Sequence, residues 1–132
     1  MPLKKVLFVC VHNSGRSQMA EALFNYHAKG EALAYSAGTR PACHKDKNVV
    51  VVMKEKGLDI SKQHPKMLTP EMMEGVDRVI TMGCGVENIC PATWVSTEDW
   101  ELEDPEGEPL QKVREIRDKV EVKVKALIEK LQ

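Results

Sequence analysis

An α/β fold, a three-layer sandwich whose four-stranded parallel sheet carries helices on both faces, is predicted from three observations on this chain of 132 residues. Val6-Leu7-Phe8-Val9 is continuously apolar, as a strand buried on both faces must be. Strand-like and helix-like segments alternate after it, which is the order of a parallel sheet with crossover helices. Leu110, Val113, Ile116, Val120, Val124, Leu127, Ile128 and Leu131 recur at the helical period, so the chain closes on a packing helix.

The elements follow in order. Lys4 to Val9 is the first strand, and Ser17 to Lys29 the first helix, with Met19, Ala22 and Leu23 at helical spacing. Leu33 to Ala37, closed by Gly38, suits a second strand. Asp46 to Lys56, closed by Gly57, suits a second helix with Val49, Val50, Val52 and Met53 as core candidates. Thr69-Pro70-Glu71 opens a short helix, Thr69 capping it and Pro70 at its first position. Asp77 to Met82 reads as the third strand and Thr93 to Ser96 as a shorter fourth. Repeats, linkers and low-complexity segments are absent, so residues 1–132 are expected to form one domain.

Between the first strand and the first helix lies Cys10-Val11-His12-Asn13-Ser14-Gly15-Arg16-Ser17. Five residues between a cysteine and an arginine let the backbone curl into a ring whose N–H groups face one bound tetrahedral anion. A cysteine thiol ordinarily titrates near about 8.5, and a helix N-terminus beside a guanidinium favours its thiolate, the nucleophilic form. Arg16 supplies paired donors that match two oxygens of an oxyanion, which a lysine could not. Gly15 permits a positive φ and close approach of backbone to ligand, and Asn13 tolerates the left-handed region and can tie the loop through its amide. Ser14 and Ser17 add hydroxyls, Ser17 within reach of the sulfur. Val11 and His12 complete the ring. In an open parallel sheet ligands sit beyond the carboxyl ends of the strands, where Cys10 falls.

Composition narrows the class further. A net charge of −1 and pI of about 6.4 give no basic surface for nucleic acid. No apolar run approaches a membrane span, and Met1-Pro2-Leu3-Lys4-Lys5 leads straight into a strand without the form of a signal peptide, so a cytoplasmic location is expected. In that reducing compartment, four cysteines point to catalysis, redox chemistry or metal binding before a static disulfide framework. With no obvious exposed apolar stripe, a monomer is the simplest expectation.

Cys10-x5-Arg16-Ser17 followed by Gln18-Met19-Ala20-Glu21, with Tyr35-Ser36-Ala37-Gly38, Asp59-Ile60-Ser61 and Trp100-Glu101-Leu102-Glu103-Asp104-Pro105, resembles the low-molecular-weight tyrosine phosphatase fold. Within it the chain is most similar to the thioredoxin-coupled arsenate reductases, over nearly its whole length. Met82-Gly83-Cys84-Gly85-Val86-Glu87-Asn88-Ile89-Cys90-Pro91 resembles their two-cysteine segment, which phosphatases of this fold generally lack. The spacing of the pair is one residue shorter here. Glu106-Gly107 also stands where those phosphatases usually carry an aromatic residue.

The resemblance implies a mechanism. Arsenate and phosphate are near-isosteric, and either would be attacked by Cys10 while Arg16 and the loop amides hold the oxygens and Asp104 protonates the departing one. Cys84 would then attack Cys10 and release arsenite, and Cys90 would attack Cys84, leaving a disulfide for thioredoxin or a similar dithiol protein. Six helical steps span roughly 9 Å, beyond the roughly 7 Å a disulfide allows between Cα atoms. Residues 84 to 90 are therefore not expected to stay regular helix when oxidised. The runner-up activity is hydrolysis of phosphomonoesters by the same loop.

Other residues receive plainer readings. Asn13, Glu21 and Ser36 match a cation site of some of these reductases, but Gln63-His64-Pro65-Lys66 lacks its aspartate. Lys66 is expected to stand in with its ammonium, so neither metal nor other cofactor is expected. Cys43 beside His44 lies in a loop that borders the active site in phosphatases of this fold, and is read as a plain loop cysteine, the alternative being a thiol that rescues or replaces a resolving one. Cys43, His44, Cys84 and Cys90 match no usual zinc spacing. Met53, Met67, Met72, Met73 and Met82 are expected to fill core gaps. Trp94 and Trp100 either shape the mouth of the site or cover the sheet, and His27 and His64 carry no evident role.

Overall fold

The computed structural model describes residues 3–82 and 96–131. Cys84, Cys90, Trp94 and most of the predicted fourth strand lie outside the described residues. The elements are β1 (Lys4–Cys10), α1 (Arg16–Ala28), β2 (Ala32–Gly38), α2 (Lys47–Glu55), α3 (Pro70–Glu74), β3 (Arg78–Thr81), β4 (Ser96–Asp99) and α4 (Leu110–Leu131). All strand pairs are parallel, in the order β2-β1-β3-β4. The chain leaves β1 for β2 on one side and later returns to β3 on the other, so the order reverses between β1 and β3. A crevice is expected at the carboxyl ends of those two strands, and Cys10 ends β1 there.

Alternate residues of β1 belong to two cores. Val6, Phe8 and Cys10 pack with buried side chains of α1, α2 and α4, whereas Leu7 and Val9 join Ala37 and Val79 in a smaller cluster against Met72 and Met73 of α3. Helices therefore cover both faces, with α3 alone on the second among the described residues. A cavity of about 330 Å³ opens on that thinner face beside Lys5, Leu7, Tyr35, Lys66, Met72 and Val76.

Local chemistry explains the helix boundaries. Asp46 Oδ1 accepts from the Asn48 N–H at the start of α2, and Thr69 Oγ1 accepts from the Met72 N–H ahead of Pro70. Lys29 takes the left-handed conformation, φ 51°, where α1 ends.

Three expectations need correction. β4 occupies Ser96–Asp99 instead of ending at Ser96; its register is set by β3, which pairs Arg78 with Ser96 and Thr81 with Asp99. As an edge strand it tolerates the acidic Glu98 and Asp99. Gly15 has φ −135°, not a positive value. Met67 is 55% exposed and fills no core gap, because residues 66–68 bridge the end of β2 at the sheet margin. On α2 Val49, Val52 and Met53 form the inner stripe, and Val50, half-buried, packs against the same core as expected.

Candidate active site

The loop from Cys10 to Arg16 is held from outside by its carbonyls. The Thr39 N–H donates to Cys10 O (3.3 Å), Arg40 N–H to Val11 O (2.8 Å), Ala42 N–H to His12 O (2.9 Å) and Asp46 N–H to Ser14 O (3.0 Å). In a planar trans peptide the next residue's N–H points opposite to the carbonyl. Pinning these four carbonyls toward residues 39–46 therefore turns the N–H groups of Val11, His12, Asn13 and Gly15 to the inside of the ring. One of them shows it directly: the Asn13 N–H donates to Cys10 Sγ at 3.2 Å.

The ring closes because two positions allow close approach. A Cβ on Gly38 would lie 2.6 Å from Val11 O and 3.0 Å from Asn13 Cβ, so only glycine at the end of β2 lets the loop fold over it. At Gly15 a Cβ would lie 2.8 Å from Pro105 Cγ. The requirement there is room for Pro105, not a positive φ. Asn13 turns the chain in the left-handed region, φ 51°.

Around the thiol the polar groups are buried and paired. Cys10 is 3% exposed, and Ser17 Oγ lies 2.9 Å from its sulfur. Asn13 Nδ2 donates to Ser17 Oγ (2.6 Å), while Asn13 Oδ1 accepts from the Lys66 N–H (2.9 Å) and from Gln18 Nε2 (3.2 Å). Gln18 Nε2 also donates to Asn13 O, and Gln63 Nε2 donates to both oxygens of Gln18. Gln18 and Gln63 carry no local sequence signal for this role.

Arg16 is buried, as a charge can be only with partners. Its Nη1 donates to Met82 O (2.9 Å), just past β3, and to Leu102 O (2.8 Å), which orients the guanidinium and ties the 100–105 segment to the loop. Pro105 then rests on Gly15, bringing the Asp104-Pro105 turn against the ring. Asp104 is exposed, and its Oδ1 accepts from the Glu106 N–H at 3.0 Å. Next to it, the Lys112 hydrogen bond and charge hold the Glu103 carboxyl below its ordinary value. His12 is half-exposed at the rim; its Nδ1 donates to Arg40 O (3.2 Å), and Nε2 stands 4.0 Å from Glu106 Oε2.

Behind the loop, Glu21 Oε1 accepts from Ser36 Oγ (2.7 Å) and has the Lys66 ammonium at 3.8 Å. Lys66 thus touches both halves of the arrangement, its backbone N–H on Asn13 and its charge on Glu21. Among the described residues no cluster of His, Cys, Asp and Glu is arranged to hold a metal. Cys43 is an exposed free thiol, next to the Ala42 N–H that pins the ring. Trp100 covers the sheet: it is 5% exposed and packs on Phe8 with ring centroids 5.4 Å apart. His27 pairs with Glu121 across α1 and α4, remote from the loop in sequence.

A buried thiol with an N–H and a hydroxyl on its sulfur, inside a ring of inward amides beside a guanidinium, can attack a tetrahedral oxyanion. The family model described as low molecular weight phosphotyrosine protein phosphatase matches residues 5–132. A relative from Halobacterium salinarum, named putative arsenate reductase, is 41% identical over 122 residues, spanning 89% of this chain and 85% of that protein. The structure of a thioredoxin-dependent arsenate reductase from Corynebacterium glutamicum superposes with a TM-score of 0.86 and 39% identity, covering 99% of this chain and 63% of that longer one. An arsenate reductase in a phosphate-binding state superposes at 0.87 with 38% identity, covering 98% of this chain and all (100%) of that one.

Proposed function

The chain belongs to the low molecular weight phosphotyrosine protein phosphatase family, and we propose that within it the protein is an arsenate reductase using Cys10 as nucleophile. The observation that carries this reading is the ring itself: four pinned carbonyls, with the Asn13 N–H and Ser17 hydroxyl on the sulfur. The N–H groups of Val11, His12, Ser14 and Gly15, with the Ser14 hydroxyl, supply the donors for arsenate, while the Asn13 N–H and the Ser17 hydroxyl hold the sulfur. Arg16, oriented by Met82 O and Leu102 O, offers its remaining donors to the same oxygens.

In the first step the Cys10 thiolate bonds to arsenic(V) and one arsenate oxygen leaves as water, with Asp104 as the proton donor. The Cys84 thiolate next attacks the Cys10 sulfur. A Cys10–Cys84 disulfide forms, the sulfur–arsenic bond breaks, and its electron pair stays on arsenic, which departs as arsenite. Cys90 attacks Cys84, freeing Cys10 and leaving a Cys84–Cys90 disulfide, and a reduced dithiol protein of the thioredoxin type returns both thiols. Lys66 supplies the positive charge beside Glu21 and Ser36, so no metal takes part. The protein acts as a single domain over residues 1–132, a monomer in the cytoplasm; no described helix is long and apolar enough to cross a membrane.

The test is arsenate turnover with reduced thioredoxin, beside an aryl phosphate assay, for wild type and for Cys10→Ser, Cys84→Ser and Cys90→Ser. Loss of arsenite production in each variant supports the three-thiol relay. Aryl phosphate hydrolysis without arsenite production, indifferent to Cys84 and Cys90, would make the protein a phosphatase instead.

A further inference from the structure

Resting on the reading of Cys10 as the reacting thiol, we infer that Gln63 and Gln18 are positioning residues at the head of a one-way chain of hydrogen bonds that ends on the Cys10 sulfur. Gln63 Nε2 donates to Gln18 Oε1 (2.6 Å), Gln18 Nε2 to Asn13 Oδ1 (3.2 Å), and Asn13 Nδ2 to Ser17 Oγ (2.6 Å), which lies 2.9 Å from Sγ. An amide side chain can in principle be turned over, exchanging donor for acceptor. Here each orientation is held by a backbone group that cannot exchange. The Lys66 N–H can only donate, so it requires Oδ1 of Asn13 on its side and leaves Nδ2 for Ser17. Asn13 O can only accept, so it requires Nε2 of Gln18 and leaves Oε1 for Gln63. Gln18 O likewise requires Nε2 of Gln63.

The consequence falls on one proton. Ser17 Oγ receives a hydrogen from Asn13, so the Ser17 hydroxyl hydrogen is left for the sulfur, and the thiolate accepts from both Ser17 and the Asn13 N–H. Donors aligned head to tail polarise one another, so removing the first weakens the last. Gln18 is fully buried and Gln63 half-buried in the 61–66 loop, from which no direct contact to the sulfur is needed. Charged groups on the surrounding elements are Arg16 in the ring, His12, Asp104 and Glu106 at its rim, and the Lys66–Glu21 pair behind Asn13. The variants below leave all of them in place.

The readout is the pH midpoint of iodoacetamide alkylation at Cys10 in the full chain, followed by mass spectrometry of the Cys10 peptide, with exposed Cys43 as the internal reference. Gln63→Met, which keeps the shape and removes the donor, is expected to raise the midpoint by roughly 0.2–0.6 pH unit. In a Ser17→Ala background, already raised, the same substitution is expected to add nothing, because the chain no longer reaches the sulfur. Gln18→Met should follow the same pattern with a larger rise. An equal rise in both backgrounds, or none with Ser17 present, overturns the inference. Alkylation needs no arsenate, so a non-additive cycle in a protein that fails to reduce arsenate sinks the reductase reading and keeps the relay.

Discussion

The Cys10 ring and the seam between α2 and α4 are both tied by polar groups from distant parts of the chain, yet they are built from opposite materials. In the ring Asn13, Ser17 and Gln18 are fully buried, and most of the bonds are between neutral groups of fixed orientation. At the seam Glu55 accepts from Arg114 through both carboxylate oxygens at the protein surface, and through one oxygen from Arg117, which is buried beneath it. Buried neutral donors are costly to leave unmet, so they hold a single geometry. Surface ion pairs are screened and individually weak. The ring is therefore where substitutions should alter chemistry, and the seam where they should alter only stability.

The hardest blow to that division is at the sulfur. Cys10→Ser is expected to lower arsenate reduction by at least about a thousandfold while far-ultraviolet circular dichroism and thermal midpoint stay near wild type. Unchanged arsenite production would remove the ring from the chemistry altogether. Next in size is Asp104→Asn, expected to lower turnover about 10²- to 10⁴-fold if the exposed carboxyl on the Pro105 turn is the proton donor. Turnover unaffected by Asp104→Asn would transfer that role elsewhere. On the seam side, Ile116→Ala removes a buried side chain of α4 and should cost about 2–5 kcal/mol of stability by urea unfolding. Its turnover per folded molecule should match wild type, and a parallel loss of activity would mean that the two regions are coupled through α1.

Legibility followed sequence distance. β1, the ring and the start of α1 are contiguous, and their residue types announce the turn, the nucleophile and its guanidinium before any partner is known. The α3 start was equally plain, since Thr69 and Pro70 act within one turn. What clamps the ring is only partly legible: the resemblance places Lys66 beside Asn13, Glu21 and Ser36, but nothing near Gly38 or Gln63 shows that they reach the ring from β2 and the segment beyond α2, nor that the Lys66 N–H holds Asn13. Gly15 was recognised as a required glycine for the wrong reason, because Pro105, ninety positions onward, supplies the true constraint. The C-terminal reach of β4 is hidden on the same account. A strand end with Glu98 and Asp99 has little apolar pattern of its own, and how far it runs past Ser96 comes from the register with β3.

The smallest expected effect is at Glu55, and it tests whether the seam is merely electrostatic. The Arg114 hydrogen bond, with help from Arg117 and against a smaller opposing push from burial, holds the Glu55 carboxyl below its ordinary value of 4.5. A carboxyl lowered in the folded state contributes stability above its unfolded value, and that contribution is lost as pH falls through the folded one. Glu55→Gln should therefore lower the thermal midpoint by no more than a few degrees at pH 7. The gap to wild type should close as pH drops below about 4.5, and shrink in high salt. Because Arg114 and Arg117 remain charged throughout this range, the closure reports Glu55 itself. A gap that persisted in acid and in salt would show that Glu55 works through the shape of its hydrogen bonds, as the amides of the ring do, and the two regions would then differ in burial alone.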